Sequence, residues 1–130
     1  VKGNKYYQMR APCEVVIWNL LPGIRSELAK ELYTLGMTQH EISEKLGITQ
    51  AAVSQYLGGE RGGRIKFRKR DSLEIKKLAR DIAGGIQPLD LIFRICILCR
   101  KLRVDRVLCD IHRKQETILR DRDCDVCLKR

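Results

Sequence analysis

Thr38 to Tyr56, reading TQHEISEKLGITQAAVSQY, constrains this chain more than any other stretch, because its caps and apolar spacing fit two short helices around a tight turn. Thr38 offers a hydroxyl to an exposed amide at the start of the first helix, and Glu41, three residues on, completes a capping box. Ile42 and Leu46 fall four apart on one face, Gly47 supplies the positive φ that ends a helix, and Ile48 plugs the corner. Thr49 caps the second helix, whose Ala52, Val53, Tyr56 and Leu57 form an apolar stripe.

The opposite face of the second helix carries Gln50, Ala51, Ser54 and Gln55. These are short, uncharged side chains, whereas an ordinary solvated helix face is rich in Lys and Glu. Gln bonds bidentately to adenine N6 and N7, Ser bonds to several base edges, and the Ala51 methyl meets a thymine methyl. The order of cap, glycine turn and polar second face therefore points to a helix-turn-helix that places its second helix in the DNA major groove. A plain αα-hairpin in a helical domain is the bland alternative.

Met37-Thr38-Gln39-His40-Glu41-Ile42-Ser43, followed by Gly47-Ile48-Thr49-Gln50-Ala51-Ala52-Val53-Ser54-Gln55-Tyr56-Leu57, resembles the DNA-binding domain of phage-repressor-type (XRE/Cro-like) regulators over residues 23 to 60. The resemblance implies that Gln39 reaches a phosphate and that Gln50, Ala51 and Gln55 face bases. From Pro12-Cys13-Glu14 through Leu21-Pro22 to the cysteine-containing tail, the chain is also similar to a group of small archaeal predicted transcriptional regulators.

The rest of the chain fits such a role. A length of 130 residues suits one modest domain, and 26 Lys plus Arg against 16 Asp plus Glu, a net charge of +10, calls for a polyanionic partner. No apolar run approaches the roughly 18 residues of a membrane span, and residues 1 to 15 lack a secretory core, so a cytoplasmic, membrane-free protein is expected. Residues 1–11 read as a basic arm, 12–60 as the helix-turn-helix domain, 61–70 as a basic linker and 71–130 as a helical, cysteine-rich region. The expected fold class is all-α.

In the amino-terminal part, Val15, Trp18 and Leu21 recur every three residues, which predicts one helical face from Pro12. Pro22-Gly23 then starts or kinks a helix with Ile24, Leu28, Leu32 and Leu35 on one side. Beyond the glycine-rich loop of residues 58 to 63, Arg61, Arg64, Lys66, Arg68, Lys69 and Arg70 are placed to meet phosphates. Asp71-Ser72 caps a further helix that packs through Ile75, Leu78, Ala79 and Ile82 and stops at Gly84-Gly85. The run from Pro88 to Cys99 is apolar nearly all round, so it is either buried or shared with a second subunit, and a homodimer reading an inverted repeat in double-stranded DNA is expected.

Six cysteines include Cys96-x2-Cys99, Cys109 with His112 nearby, and Cys124-x2-Cys127. Paired thiolates at that spacing converge on a metal or cluster. Four thiolates from Cys96, Cys99, Cys124 and Cys127 suit zinc, with Cys109 and His112 able to replace one pair. A [4Fe-4S] cluster is the preferred reading, and the archaeal resemblance implies Cys13, Cys96, Cys99 and Cys109 as its set. No phosphate-binding loop, dinucleotide fingerprint or HExxH is present, so catalysis is not expected. The runner-up is a zinc-stabilised DNA-binding regulator; behind it stand a cysteine-dependent redox enzyme, whose turnover would depend on Cys109 or His112, and an RNA-binding or DNA-tethering adaptor without operator preference.

Overall fold

The computed structural model describes residues 11–115 and 124–128. The expected basic arm lies outside them except for Ala11. Among the described residues the chain is all-helical, as the sequence predicts: α1 (Pro12–Val15), a π turn (Val16–Leu20), α2 (Leu21–Thr34), α3 (Gln39–Leu46), α4 (Gln50–Leu57), α5 (Lys69–Ala83), α6 (Pro88–Val104), α7 (Cys109–Gln115) and a 3₁₀ turn (Val126–Leu128). None of the described helices is long and apolar enough to cross a membrane.

The amino-terminal face departs from the three-residue spacing read from the sequence. The π turn closes on wider hydrogen bonds than an α-helix, which shifts the register after Val15. Val15, Asn19 and Leu20 are buried, and Trp18, expected to face inward, is 72% exposed. The Asn19 amide lies inside because its Nδ2 donates to the Val15 carbonyl at 3.3 Å.

α2 follows directly, and because Leu20 and Leu21 are already helical, Pro22 falls inside one continuous helical run, where it cannot donate back to a carbonyl of the π turn. Its stripe of Ile24, Leu28 and Leu32 is fully buried, each side chain contributing about 1.5–3 kcal/mol. Leu35, expected to extend that stripe, lies just past the helix end and is largely exposed. α2 packs against α3, α4 and α5 and forms the centre of the core.

α3 and α4 are short helices with well-made ends. The Thr38 hydroxyl accepts from the Glu41 N–H at 3.1 Å, and the Thr49 hydroxyl accepts from the Ala52 N–H at 3.0 Å. Gly47 takes the left-handed conformation, φ 66° and ψ 35°, which lets both its own N–H and that of Ile48 turn back to the Ser43 carbonyl. Ile42 is buried, and Leu46 and Ile48 pack against the core.

α5 begins earlier than its sequence suggests, at Lys69, with Asp71 inside the first turn instead of before it. The cause is a clamp around Asp71. Its carboxylate accepts from the Arg68 N–H at 3.1 Å and from Arg68 Nε and Nη2 at 2.8 and 3.0 Å, while Nη2 also reaches Asp105 at 3.1 Å. Ile75, Leu78, Ala79 and Ile82 are buried as expected, and Gly85 at φ 98° turns the chain into α6. The two helices run antiparallel, with Arg94 paired to Asp81, Lys101 to Glu74 and Arg68 to Asp105 along their length.

Burial alone raises the Asp71 carboxyl, but the Arg68 hydrogen bonds and the Arg68 and Arg70 charges outweigh it and hold the group below its ordinary 3.8. A depressed carboxylate contributes stability above its unfolded pKa and loses it as pH falls through the folded one. Asp71→Ala is expected to lower stability at neutral pH by about 2 kcal/mol in urea denaturation. The gap from the parent should narrow below pH 3.8 as the parent carboxyl protonates.

Candidate functional site

α4 is held by one side and presents the other. Ala52, Val53 and Tyr56 are buried, while Gln50, Ala51 and Ser54 are exposed and Gln55 is half-buried. Packing against α2 and α3 fixes the helix from behind. The outward face therefore carries the amides, hydroxyl and methyl named from the sequence, on a helix whose first turn is capped. Gln39, at the start of α3, is half-buried.

The glycine-rich segment after α4 is fastened at both ends of its turn. The Glu60 N–H donates to the Gln55 carbonyl at 2.9 Å, and the Arg61 guanidinium lies 5.8 Å from the centre of the Tyr56 ring. Gly62, at φ 81°, approaches α2 so closely that a Cβ there would sit 2.4 Å from the Pro22 carbonyl oxygen. This contact sets the positions of Arg61 and Arg64 beside α4.

Arg61, Arg64, Lys66, Lys69 and Arg70 are exposed. Among the described residues no carboxylate pairs with Arg61, Arg64, Lys66 or Lys69, and Arg70 has only a 3.9 Å approach to Asp105. Arg68 differs from the sequence expectation. Its guanidinium is engaged by Asp71 and Asp105, which raise its pKa, so its work is structural and it is withdrawn from the expected phosphate contacts.

The cysteines gather around α6, α7 and the 3₁₀ turn. Cys96, Cys99 and Cys127 line one cavity of about 830 Å³ beside Arg25, Arg100 and Arg103. Cys127 and Cys124 lie within electrostatic reach of Cys109. α1, which carries the exposed Cys13, packs against α7, where His112 is buried. Among the described residues no three His, Cys, Asp or Glu side chains form a group able to hold one ion as they stand.

Burial, reinforced by Cys96, pushes the Cys99 thiol up to about 11 despite Arg103 and Arg25, and burial followed by Cys127 raises Cys109 as well. A raised thiol holds its proton at neutral pH and is a poor nucleophile and a poor ligand until the proton leaves. Two features escaped sequence reasoning: the buried Asn19 and the Arg68–Asp71–Asp105 clamp. A single amide inside the apolar run from Val15 to Leu21 was the available signal for the first; the second joins residues too distant in the chain to be paired by pattern. No known protein family, curated protein or solved structure matches the chain.

In the metal-free, reduced protein, Cys99 should react with iodoacetamide at pH 8 about 10-fold more slowly than a small free thiol. Its thiolate fraction is lower by roughly 100-fold, and its higher nucleophilicity restores part of that. Mass spectrometry of the labelled peptides should show the Cys99 rate still rising above pH 9; a rate already level by pH 9 would contradict the raised pKa.

Proposed function

We propose that the chain is a sequence-specific DNA-binding transcriptional regulator in which α3 and α4 form a helix-turn-helix and α4 enters the major groove. The observation that carries this reading is the division of α4: a locked apolar face and an outward face of Gln50, Ala51, Ser54 and Gln55. Side chains of that kind on a rigid helix read base edges. Arg61, Arg64, Lys66, Lys69 and Arg70, exposed just beyond α4, supply the phosphate contacts that fix register and affinity.

A homodimer accompanies the proposal. α6 buries Leu91, Leu98 and Leu102 but leaves Leu89, Phe93, Ile97 and Val104 exposed along its outer side. A second copy covering this row would remove it from water and carry two α4 helices to major-groove faces about 34 Å apart.

The cysteine-bearing end is proposed to hold an iron-sulfur cluster. Three thiols on one cavity, with Cys109 in electrostatic reach of Cys127, supply donors of the right chemistry, and Arg25 and Arg103 offset the negative charge of a thiolate-held group. Cys96, Cys99 and Cys127, which share the cavity, with Cys109 as the fourth donor, are the set proposed here. They must draw together and lose protons on binding, so loading should be weaker in acid. A bound cluster would supply redox sensitivity to the end of the molecule that bears the α6 face. Anaerobic purification should give brown protein with stoichiometric iron and sulfide; colourless protein with stoichiometric zinc would replace the cluster by a structural zinc site.

Anisotropy titrations with duplex DNA test the main proposal. Gln50→Ala and Gln55→Ala are each expected to cost about 1–3 kcal/mol of preference for the selected site over random duplex. Lys66→Ala should weaken both duplexes alike and reduce the logarithmic salt slope by about 0.9. Equal loss on specific and random DNA for both glutamine variants would reject α4 as the reading helix.

A further inference from the structure

The cavity of about 830 Å³ beside α6 has two unlike ends. Along α6 its wall passes from Leu91, Ile92 and Ile95 through Cys96 and Cys99 to Arg100 and Arg103. A neighbouring cavity shares Leu46, Leu91 and Ile92 with it, so Leu46, the last residue of α3, stands at the apolar end. At the other end Arg25 of α2 and Arg103 both lie within electrostatic reach of the Cys99 thiol, which gathers the two guanidinium groups around one point. Among the described residues no carboxylate pairs with Arg25, Arg100 or Arg103. Cations left unmatched beside an apolar space favour an anion that brings its own apolar body.

The rest of the lining narrows the choice. Val16, Leu21 and Leu28 complete an aliphatic wall, and apart from guanidiniums and thiols the lining holds no hydrogen-bonding side chain. A sugar, a peptide or a nucleotide base would leave its polar edges unpaired there. From Ile92 to Arg103 the axis of α6 rises about 16 Å. That is about half of the roughly 30 Å hydrocarbon core of a bilayer, the depth that one acyl chain spans.

We infer that this cavity binds an acyl chain with an anionic head, its tail along Leu46, Leu91, Ile92 and Ile95 and its carboxylate or phosphate on Arg25, Arg100 and Arg103. Cys96 and Cys99 line the middle of the trough. The chain therefore fills the space that a thiolate-held group needs, and it is a ligand of the metal-free protein. Its binding requires neither DNA nor a dimer.

The intact chain, reduced and metal-free, is titrated calorimetrically with decanoate, octanoate, butanoate, decyl phosphate and decyltrimethylammonium. Decanoate is expected to bind once per chain with half-saturation below about 1 mM, and octanoate about 10-fold more weakly for the loss of two buried methylenes. Butanoate keeps the head without the tail, and decyltrimethylammonium keeps the tail with the opposite charge. Neither should saturate the protein below about 10 mM. Whichever of decanoate and decyl phosphate binds tighter identifies the head. Decanoate should also slow alkylation of Cys96 at least threefold and leave Cys13, which lies outside the cavity, unchanged.

Ile92→Asp and Arg100→Glu alter exposed side chains at opposite ends of the trough, so both variants should keep the helical circular dichroism of the parent. Each should raise the decanoate midpoint at least 10-fold. No saturable binding of decanoate, equal affinity for decyltrimethylammonium, or no gain from octanoate to decanoate overturns the site. So does unslowed alkylation of Cys96, or either variant binding decanoate like the parent.

Discussion

Everything on this molecule is positioned by the burial of one stripe of α2. Ile24, Leu28 and Leu32 are closed off from water, and α3, α4 and α5 lie against that helix. The consequence for α4 is geometric. An eight-residue helix is too short to hold itself together in water, so it exists because its Ala52–Val53–Tyr56 side is buried. The same burial turns Gln50, Ala51 and Ser54 outward and leaves them no freedom to fold back.

Electrostatics does a different job at the other end. The Arg68–Asp71–Asp105 clamp ties the start of α5 to the end of α6, and the Arg94–Asp81 and Lys101–Glu74 pairs continue along the two helices. Exposed pairs of this kind contribute little individually, so their value lies in fixing which side of α6 faces inward. With that side fixed, Leu89, Phe93 and Ile97 face outward, and the thiols of Cys96 and Cys99 line the cavity shared with Cys127. Past α4, Arg68 is engaged by Asp71 and Asp105, whereas Arg61, Arg64, Lys66 and Lys69 are exposed with no carboxylate pair among the described residues.

The features legible in the sequence are those decided by neighbours in the chain. Thr38, Gly47 and Thr49 set the ends of α3 and α4 through hydrogen bonds spanning only a few residues, and the α5 stripe and its glycine stop follow from periodicity. The π turn was not legible, since nothing in the spacing of Val15, Trp18 and Leu21 signals an added residue per turn. Asp71 reads locally as a cap preceding a helix, whereas its contacts with Arg68, which also reaches Asp105, draw the helix start back to Lys69. The apolar run of α6 allowed both burial and sharing, and only tertiary packing decides which side chains remain outside. The grouping of Cys109 with Cys124 and Cys127 depends on where the chain returns after α7, which spacing alone does not determine.

The central claim is that the outward face of α4 chooses among DNA sequences. It is tested most directly by selecting duplexes from a random-sequence pool with the full chain at fixed moderate salt and sequencing what is retained. The account predicts convergence on an inverted repeat whose half-sites are centred about 10 base pairs, or a multiple of one helical turn, apart. A pool retained by charge alone, with no enriched sequence after repeated rounds, would contradict it.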